Sequence, residues 1–207
     1  FSVSGFDSFL TEQLAEIERA NLRRRLRVIG GAQGARLEFE GRELLHFSSN
    51  DYLGLAAHPR LKLAAAEAVD RFGVGAGASR LISGSQEPHH RLEERLADFK
   101  GAEAALVFST GYACALGTIP VLVGRPDFIV IDKLVHASIV DAARLSGATL
   151  RIFRHNDLDD LAEILAWCAG KRGASGKVLI VTESLFSMDG DFAPLADLVS
   201  LKEKHDA

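Results

Sequence analysis

"DFIVIDKLVHASIVDAARLSGATLRIF", residues 127–153, decides the fold. Two apolar runs of strand length, DFIVID (127–132) and TLRIF (149–153), bracket a helical pattern at 138–146. The same alternation continues on both sides. Upstream, AALVF (104–108) precedes a helical pattern at about 111–123; downstream, a helical pattern at 158–169 is followed by KVLIVTES (177–184) and a terminal amphipathic helix in DFAPLADLVSLKEKHDA (191–207). Short strands rich in Val and Ile, without polar alternation, are what a parallel sheet covered by helices on both faces requires. The predicted fold class is therefore α/β, a doubly wound and mostly parallel sheet. The last helical pattern ends at Ala207 with no strand after it, and the first residue is Phe1 rather than Met, so a longer parent chain is expected.

The region before residue 104 has a different texture. Residues 7–27 read as one amphipathic helix with Leu10, Leu14, Ile17 and Leu22 on a face, and ARLEFEGRELLHF (35–47) reads as a hairpin turning at Gly41. Residues 1–50 thus form an N-terminal arm, and 51–207 the first part of a larger domain. Helices are predicted at 59–72 and 88–100, the second with Pro88 in its first turn, where a missing N–H costs nothing.

Composition narrows the function classes. Of 207 residues 47% are hydrophobic and 25% charged, with a formal net charge of −4, which gives no general attraction to nucleic acid or to an anionic membrane. The five-residue basic cluster Arg23–Arg27 is too short to change that. Cys114 and Cys168 lie in helical patterns without a CxxC partner, so neither a disulfide framework nor a metal centre is predicted, and a cytoplasmic setting is the default.

Ligands of open α/β sheets gather outside the carboxyl ends of the strands, so the loops there carry the candidate site. In FSTGYACALG (108–117) a strand-like run breaks at Ser109-Thr110-Gly111 and a helix begins. The first N–H groups of a helix have no internal partner and lie at its positive end, which suits a phosphate, and Gly111 lets an anion approach the backbone; taken alone, a glycine at such a position is more often just a turn. His136 lies at the end of the next strand unit, before a helix that Ser138 could cap with Asp141 in the reciprocal position. Glu183 and Ser187 lie at the same edge in VTESLFSMDGD (181–191), where Asp189-Gly190 marks a turn. The alternating glycines of RFGVGAGASRLISG (71–84) follow a helix rather than a strand, the wrong context for a dinucleotide fingerprint. His89 and His90 read as helix-end residues, and HNDLDDL (155–161) as Asn156 or Asp157 capping a helix.

Taken together, FSSNDYLGLAAHP (47–59), GVGAGASRLISGSQEPHHRLEERLADFKG (73–101), STGY (109–112), HAS (136–138) and ESLFSMDGD (183–191) resemble the α-oxoamine synthases, pyridoxal 5′-phosphate enzymes of fold type I. The resemblance covers roughly residues 20–207. It implies that the Gly111 and Tyr112 turn holds the cofactor phosphate, that His136 stacks on the pyridine ring, and that Ser187 hydrogen-bonds the ring's phenolic oxygen. It implies further that Arg23 binds a substrate carboxylate, which its planar fork suits, and that Asn50 lines the same site. The branch it points to condenses L-alanine with a pimeloyl thioester, carried on CoA or a carrier protein, in biotin biosynthesis, as a homodimer. A glycine-acetylating branch and a non-catalytic subunit of the same fold are the alternatives. The lysine and the aspartate that complete the family's site find no match in these loops and are expected after Ala207, so residues 1–207 alone are expected to be inactive.

Overall fold

The computed structural model describes residues 4–207. They divide into two units, one ending at Gly84 and one beginning at Ser85.

In the first unit, helix α1 (Gly5–Arg19) starts on a capping box in which Ser4 accepts the Asp7 N–H and the Asp7 carboxylate accepts the Ser4 N–H. The helix is shorter than the predicted 7–27. Asn21 adopts a left-handed φ of 56°, the Asn21 N–H bonds Glu18 O and the Leu22 N–H bonds Ile17 O, which together close a Schellman motif. Arg23 therefore lies beyond the helix, in an irregular segment. The hairpin forms as predicted: β1 (Arg36–Phe39) pairs antiparallel with β2 (Arg42–Leu45) through a two-residue turn in which Glu40 and Gly41 both have positive φ. Helix α2 (Pro59–Phe72) matches its predicted span, and the unit closes on a π-helical turn at Arg80–Gly84.

The second unit contains α3 (Glu87–Lys100), α4 (Gly111–Leu122), β3 (Phe128–Asp132), α5 (Ala137–Ser146), β4 (Thr149–Phe153), α6 (Leu158–Lys171), β5 (Val178–Val181) and α7 (Leu195–His205). The sheet order is β4-β3-β5, with β3 parallel to both neighbours, as the α/β reading requires. Every residue of β3 is buried, and Ala142 and Ala143 of α5, Leu161, Leu165 and Cys168 of α6, Phe153 of β4 and Leu198 of α7 join it in one core. One predicted strand is missing: residues 104–108 form no ladder among the described residues, and the Val107 N–H bonds the Glu93 carboxylate at 2.9 Å. An apolar run is a strand only where another strand pairs with it, and local sequence does not specify that partner.

The amino ends of the strands share one carboxylate. Asp127, just before β3, accepts the Gly124 N–H at 2.8 Å and the Lys177 N–H at 2.9 Å, while its carbonyl accepts the Thr149 N–H at 2.9 Å. Those backbone bonds hold the Asp127 carboxyl below its ordinary range. No helix among the described residues is long and apolar enough to cross a membrane.

Candidate active site

The carboxyl ends of β3, β4 and β5 lie side by side because the three strands are parallel and in register, so the residues that follow each strand meet at one edge. After β3 the chain turns through Lys133–Val135 into α5. His136 is the N-cap of that helix: its Nδ1 accepts the Ser138 N–H at 3.1 Å and lies 2.8 Å from Ser138 Oγ. With Nδ1 accepting, the ring proton resides on Nε2. The predicted Ser138 cap is thus replaced. The helix starts one residue earlier than expected, which places Ser138 inside the first turn, buried, and Asp141 accepts instead from the Tyr112 hydroxyl at 2.8 Å.

After β5, Glu183 accepts the His136 N–H, joining the ends of β3 and β5. Residues 184–193 then fold back as a narrow hairpin. The Phe186 N–H bonds Asp191 O at 2.9 Å, the Gly190 N–H bonds Phe186 O at 2.8 Å and the Ala193 N–H bonds Ser184 O at 3.2 Å, with Gly190 at a φ of 74°. Ser187 leads the tip. Between this hairpin and the His136 turn lies a cavity of about 410 Å³ whose walls include Leu134, His136, Glu183, Phe186, Ser187 and Met188.

The start of α4 is built as an anion site would be. Thr110 Oγ1 accepts the Ala113 N–H at 3.0 Å, but the N–H groups of Gly111 and Tyr112 have no partner among the described residues, and a Cβ added at Gly111 would meet open space. The Tyr112–Asp141 bond ties this helix start to the helix capped by His136, and the Asp141 carboxylate raises the Tyr112 hydroxyl above its usual pKa.

The sequence-predicted residues thus fall into three places. His136 and Ser187 line one cavity, and Gly111 and Tyr112 open the helix tied to its wall. Arg23 and Asn50 belong to the first unit, where exposed Arg23 pairs with Glu18 at 2.7 Å and Asn50 sits in a bend before Asp51.

A further cluster, read from sequence only as a helix cap, follows β4. Asp157 does cap α6 by accepting the Asp160 N–H, but the two residues before it reach further. His155 Nδ1 lies 2.9 Å from Asp132 Oδ1 and Nε2 lies 2.8 Å from Asp191 Oδ2, while Asn156 donates its backbone N–H to Asp132 Oδ2 at 2.9 Å and its side-chain amide to Asp191 Oδ2 at 2.9 Å. The Asp132 carboxylate, first, raises His155 above its ordinary value of 6.5; burial opposes this and Asp191 adds to it. The same imidazole bond lowers Asp191. A histidine immediately after a strand in a parallel sheet was the available signal, the one that picked out His136. Among the described residues no group of three or more His, Cys, Asp or Glu is placed to hold a metal ion.

The profile of the family described as aminotransferase class I and II matches residues 42–207. The chain belongs to that family. Within it, the chain is 54% identical over 195 residues to an 8-amino-7-oxononanoate synthase from Geobacter sulfurreducens, covering 94% of this chain and 49% of the relative. Among solved structures, a serine palmitoyltransferase from Sphingomonas wittichii superposes with a TM-score of 0.83 at 34% identity, over 99% of this chain and 51% of its own. One from S. paucimobilis, with a bound PLP–myriocin aldimine, superposes with a TM-score of 0.84 at 31% identity over the same shares. The chain spans about half the length of the curated relatives it matches.

Proposed function

We propose that the chain is part of a pyridoxal-phosphate-dependent acyltransferase that condenses L-alanine with a pimeloyl thioester to give 8-amino-7-oxononanoate. The observation that carries this reading is the meeting of His136 and Ser187 on one cavity at the carboxyl edge of the sheet, in a chain 54% identical to a relative of that name. The residues present fit the cofactor. A cavity of about 410 Å³ is large enough for a small ring system, an open helix start with two unpartnered N–H groups suits its phosphate, and the cavity wall offers an imidazole and a hydroxyl.

In this reading the cofactor, when bound, supplies an electron sink for a carbanion formed from the amino acid. The chain's own residues bind and orient. The Gly111 and Tyr112 N–H groups would hold the phosphate, His136 would pack on the pyridine ring, and Ser187 would hydrogen-bond its phenolic oxygen. Glu183 keeps the His136 backbone in place through the N–H it accepts. Arg23 pairs with a substrate carboxylate and Asn50 lines the substrate's path. The same reading makes the protein a homodimer in the cytoplasm, with neither nucleic acid nor membrane as partner.

The test is a titration of the intact protein with pyridoxal phosphate followed by absorbance, then release of free thiol from pimeloyl-CoA plus L-alanine against acetyl-CoA plus glycine. The expected result is saturable cofactor binding, weakened in His136→Ala, and faster thiol release with the first pair. Faster turnover of glycine and acetyl-CoA would replace the substrate assignment, and cofactor binding without turnover of either pair would identify a non-catalytic subunit. Unchanged cofactor affinity in His136→Ala would remove the role given to that ring.

A further inference from the structure

We propose that His155 is a positioning residue for this cavity: its doubly donating imidazole bridges Asp132 at the end of β3 and Asp191 on the 184–193 hairpin, and so fixes Ser187 at the cavity wall. The role at the cavity rests on the pyridoxal-phosphate reading above; the bridge itself rests on geometry.

Asp132 is fully buried, and a buried carboxylate persists only when its oxygens are satisfied. Two of its bonds come from backbone, the Leu134 N–H at 2.8 Å and the Asn156 N–H at 2.9 Å; the third comes from His155 Nδ1. The opposite ring nitrogen then points at the hairpin. Asp191 Oδ2 receives it together with the Asn156 amide, whose nitrogen also lies 3.3 Å from Phe192 O. The Phe186 ring meets the imidazole edge-on, with centroids 4.5 Å apart and planes at 85°. The contacts at Phe186, Asp191 and Phe192 therefore bracket Ser187 on both strands of the hairpin. A two-stranded hairpin is marginal in water by itself, so what holds its base decides where its tip lies.

Both ring nitrogens face carboxylate oxygens, which an imidazolium satisfies completely and a neutral ring satisfies on one side only. The charged groups facing the ring are Asp132 from β3 and Asp191 from the hairpin. The neighbouring Arg154 is engaged elsewhere, 3.0 Å from Asp157 and 3.6 Å from Asp160. The two carboxylates that raise the His155 pKa are the groups the bridge joins, so the charged ring and the closed bridge favour one another. The sign follows: the bridge is fully present below the ordinary histidine value of 6.5 and is lost as pH rises through the raised folded value.

The experiment compares the intact wild-type protein with His155→Phe, which keeps a ring against Phe186, with Asp191→Ala, a half-buried position outside the hydrophobic core, and with the double variant. Amide hydrogen exchange is read at 185–192 relative to β3, and the pyridoxal phosphate dissociation constant is measured across pH. Each single variant is expected to speed hairpin exchange and weaken cofactor binding roughly tenfold, the scale of one hydrogen bond to a charged group, while β3 amides stay protected. Because both remove the His155–Asp191 bond and each also removes one bond of its own, the double variant loses clearly less than the sum of the two singles. The advantage of wild type over His155→Phe shrinks as pH rises through the His155 pKa. Unchanged hairpin exchange in both singles, additive losses in the double, or an advantage independent of pH would overturn the proposal. If wild type binds no pyridoxal phosphate, the cofactor reading fails, and exchange at 185–192 alone still decides for or against the bridge.

Discussion

Asp127→Ala is expected to destabilise the second unit by about 3–6 kcal/mol at neutral pH, from two charge-assisted hydrogen bonds of about 1.5–3 kcal/mol each. The carboxylate is buried and holds the Gly124 N–H at 2.8 Å and the Lys177 N–H at 2.9 Å, so it ties the loop after α4 and the start of β5 to the start of β3. Alanine leaves both N–H groups without an acceptor. Asp127→Asn keeps one acceptor oxygen but turns an NH₂ toward the other donor, so about half the loss is expected, about 1.5–3 kcal/mol. Trp167 is a built-in reporter, since its indole packs edge-on against Phe128, the residue after Asp127, with centroids 5.5 Å apart. Urea unfolding of the intact protein followed through Trp167 fluorescence measures the effect. The pH dependence has a definite sign. The folded carboxyl titrates below its ordinary 3.8, so its contribution is complete above that value and disappears as pH falls through the depressed one. A loss under about 1 kcal/mol in Asp127→Ala, below the scale of even one such bond, or equal losses in the Ala and Asn variants, would refute the reasoning.

Two further outcomes are expected. Arg23→Ala should raise KM for a carboxylate-bearing substrate by roughly 10- to 100-fold, the effect of one lost charged hydrogen bond, with pyridoxal phosphate content unchanged; steady-state kinetics with cofactor quantitation checks it. Gly84→Ala should lower thermal stability by about 1–3 kcal/mol or more, because a Cβ there overlaps the Ala78 carbonyl oxygen and only a backbone shift in the π-helical turn makes room; a calorimetric scan checks it.

What the sequence made legible follows from the range of the interactions involved. Helix α2 and strand β4 lie at their predicted residues and β3 within one residue, because caps, prolines and apolar runs act over a few positions. The α1 terminus was also local: Asn21 is a residue that tolerates left-handed φ, and it stops the helix where a run of apolar spacing suggested continuation. Residues 104–108 pair with no strand among the described residues, and a ladder partner is not encoded within them. The same distinction runs through the candidate site. His136, Glu183 and Ser187 were found by the rule that strand ends gather ligands, and that rule needs only strand positions. His155 needed more, since its partners Asp132 and Asp191 lie 23 and 36 residues away. The HND stretch also contained a sufficient local explanation in the Asp157 cap, which concealed the longer-range one.

The two ends of β3 show how one kind of bond can serve two purposes. Asp127 and Asp132 flank the same buried strand, and each carboxylate accepts two backbone N–H groups. Backbone amides do not titrate, so nothing near neutrality weakens the Asp127 end, which fixes the register of the three strands. At the Asp132 end a third donor, His155, carries the connection onward to the hairpin, and this donor, unlike a backbone amide, gives up a proton as pH rises through its raised pKa. Raising the pH therefore loosens the hairpin that bears Ser187 while leaving the sheet beneath it aligned, and lowering it far enough to protonate Asp127 attacks the sheet itself. Between those limits both ends hold, which is the interval in which a cofactor bound at this edge would find its imidazole and hydroxyl already in place.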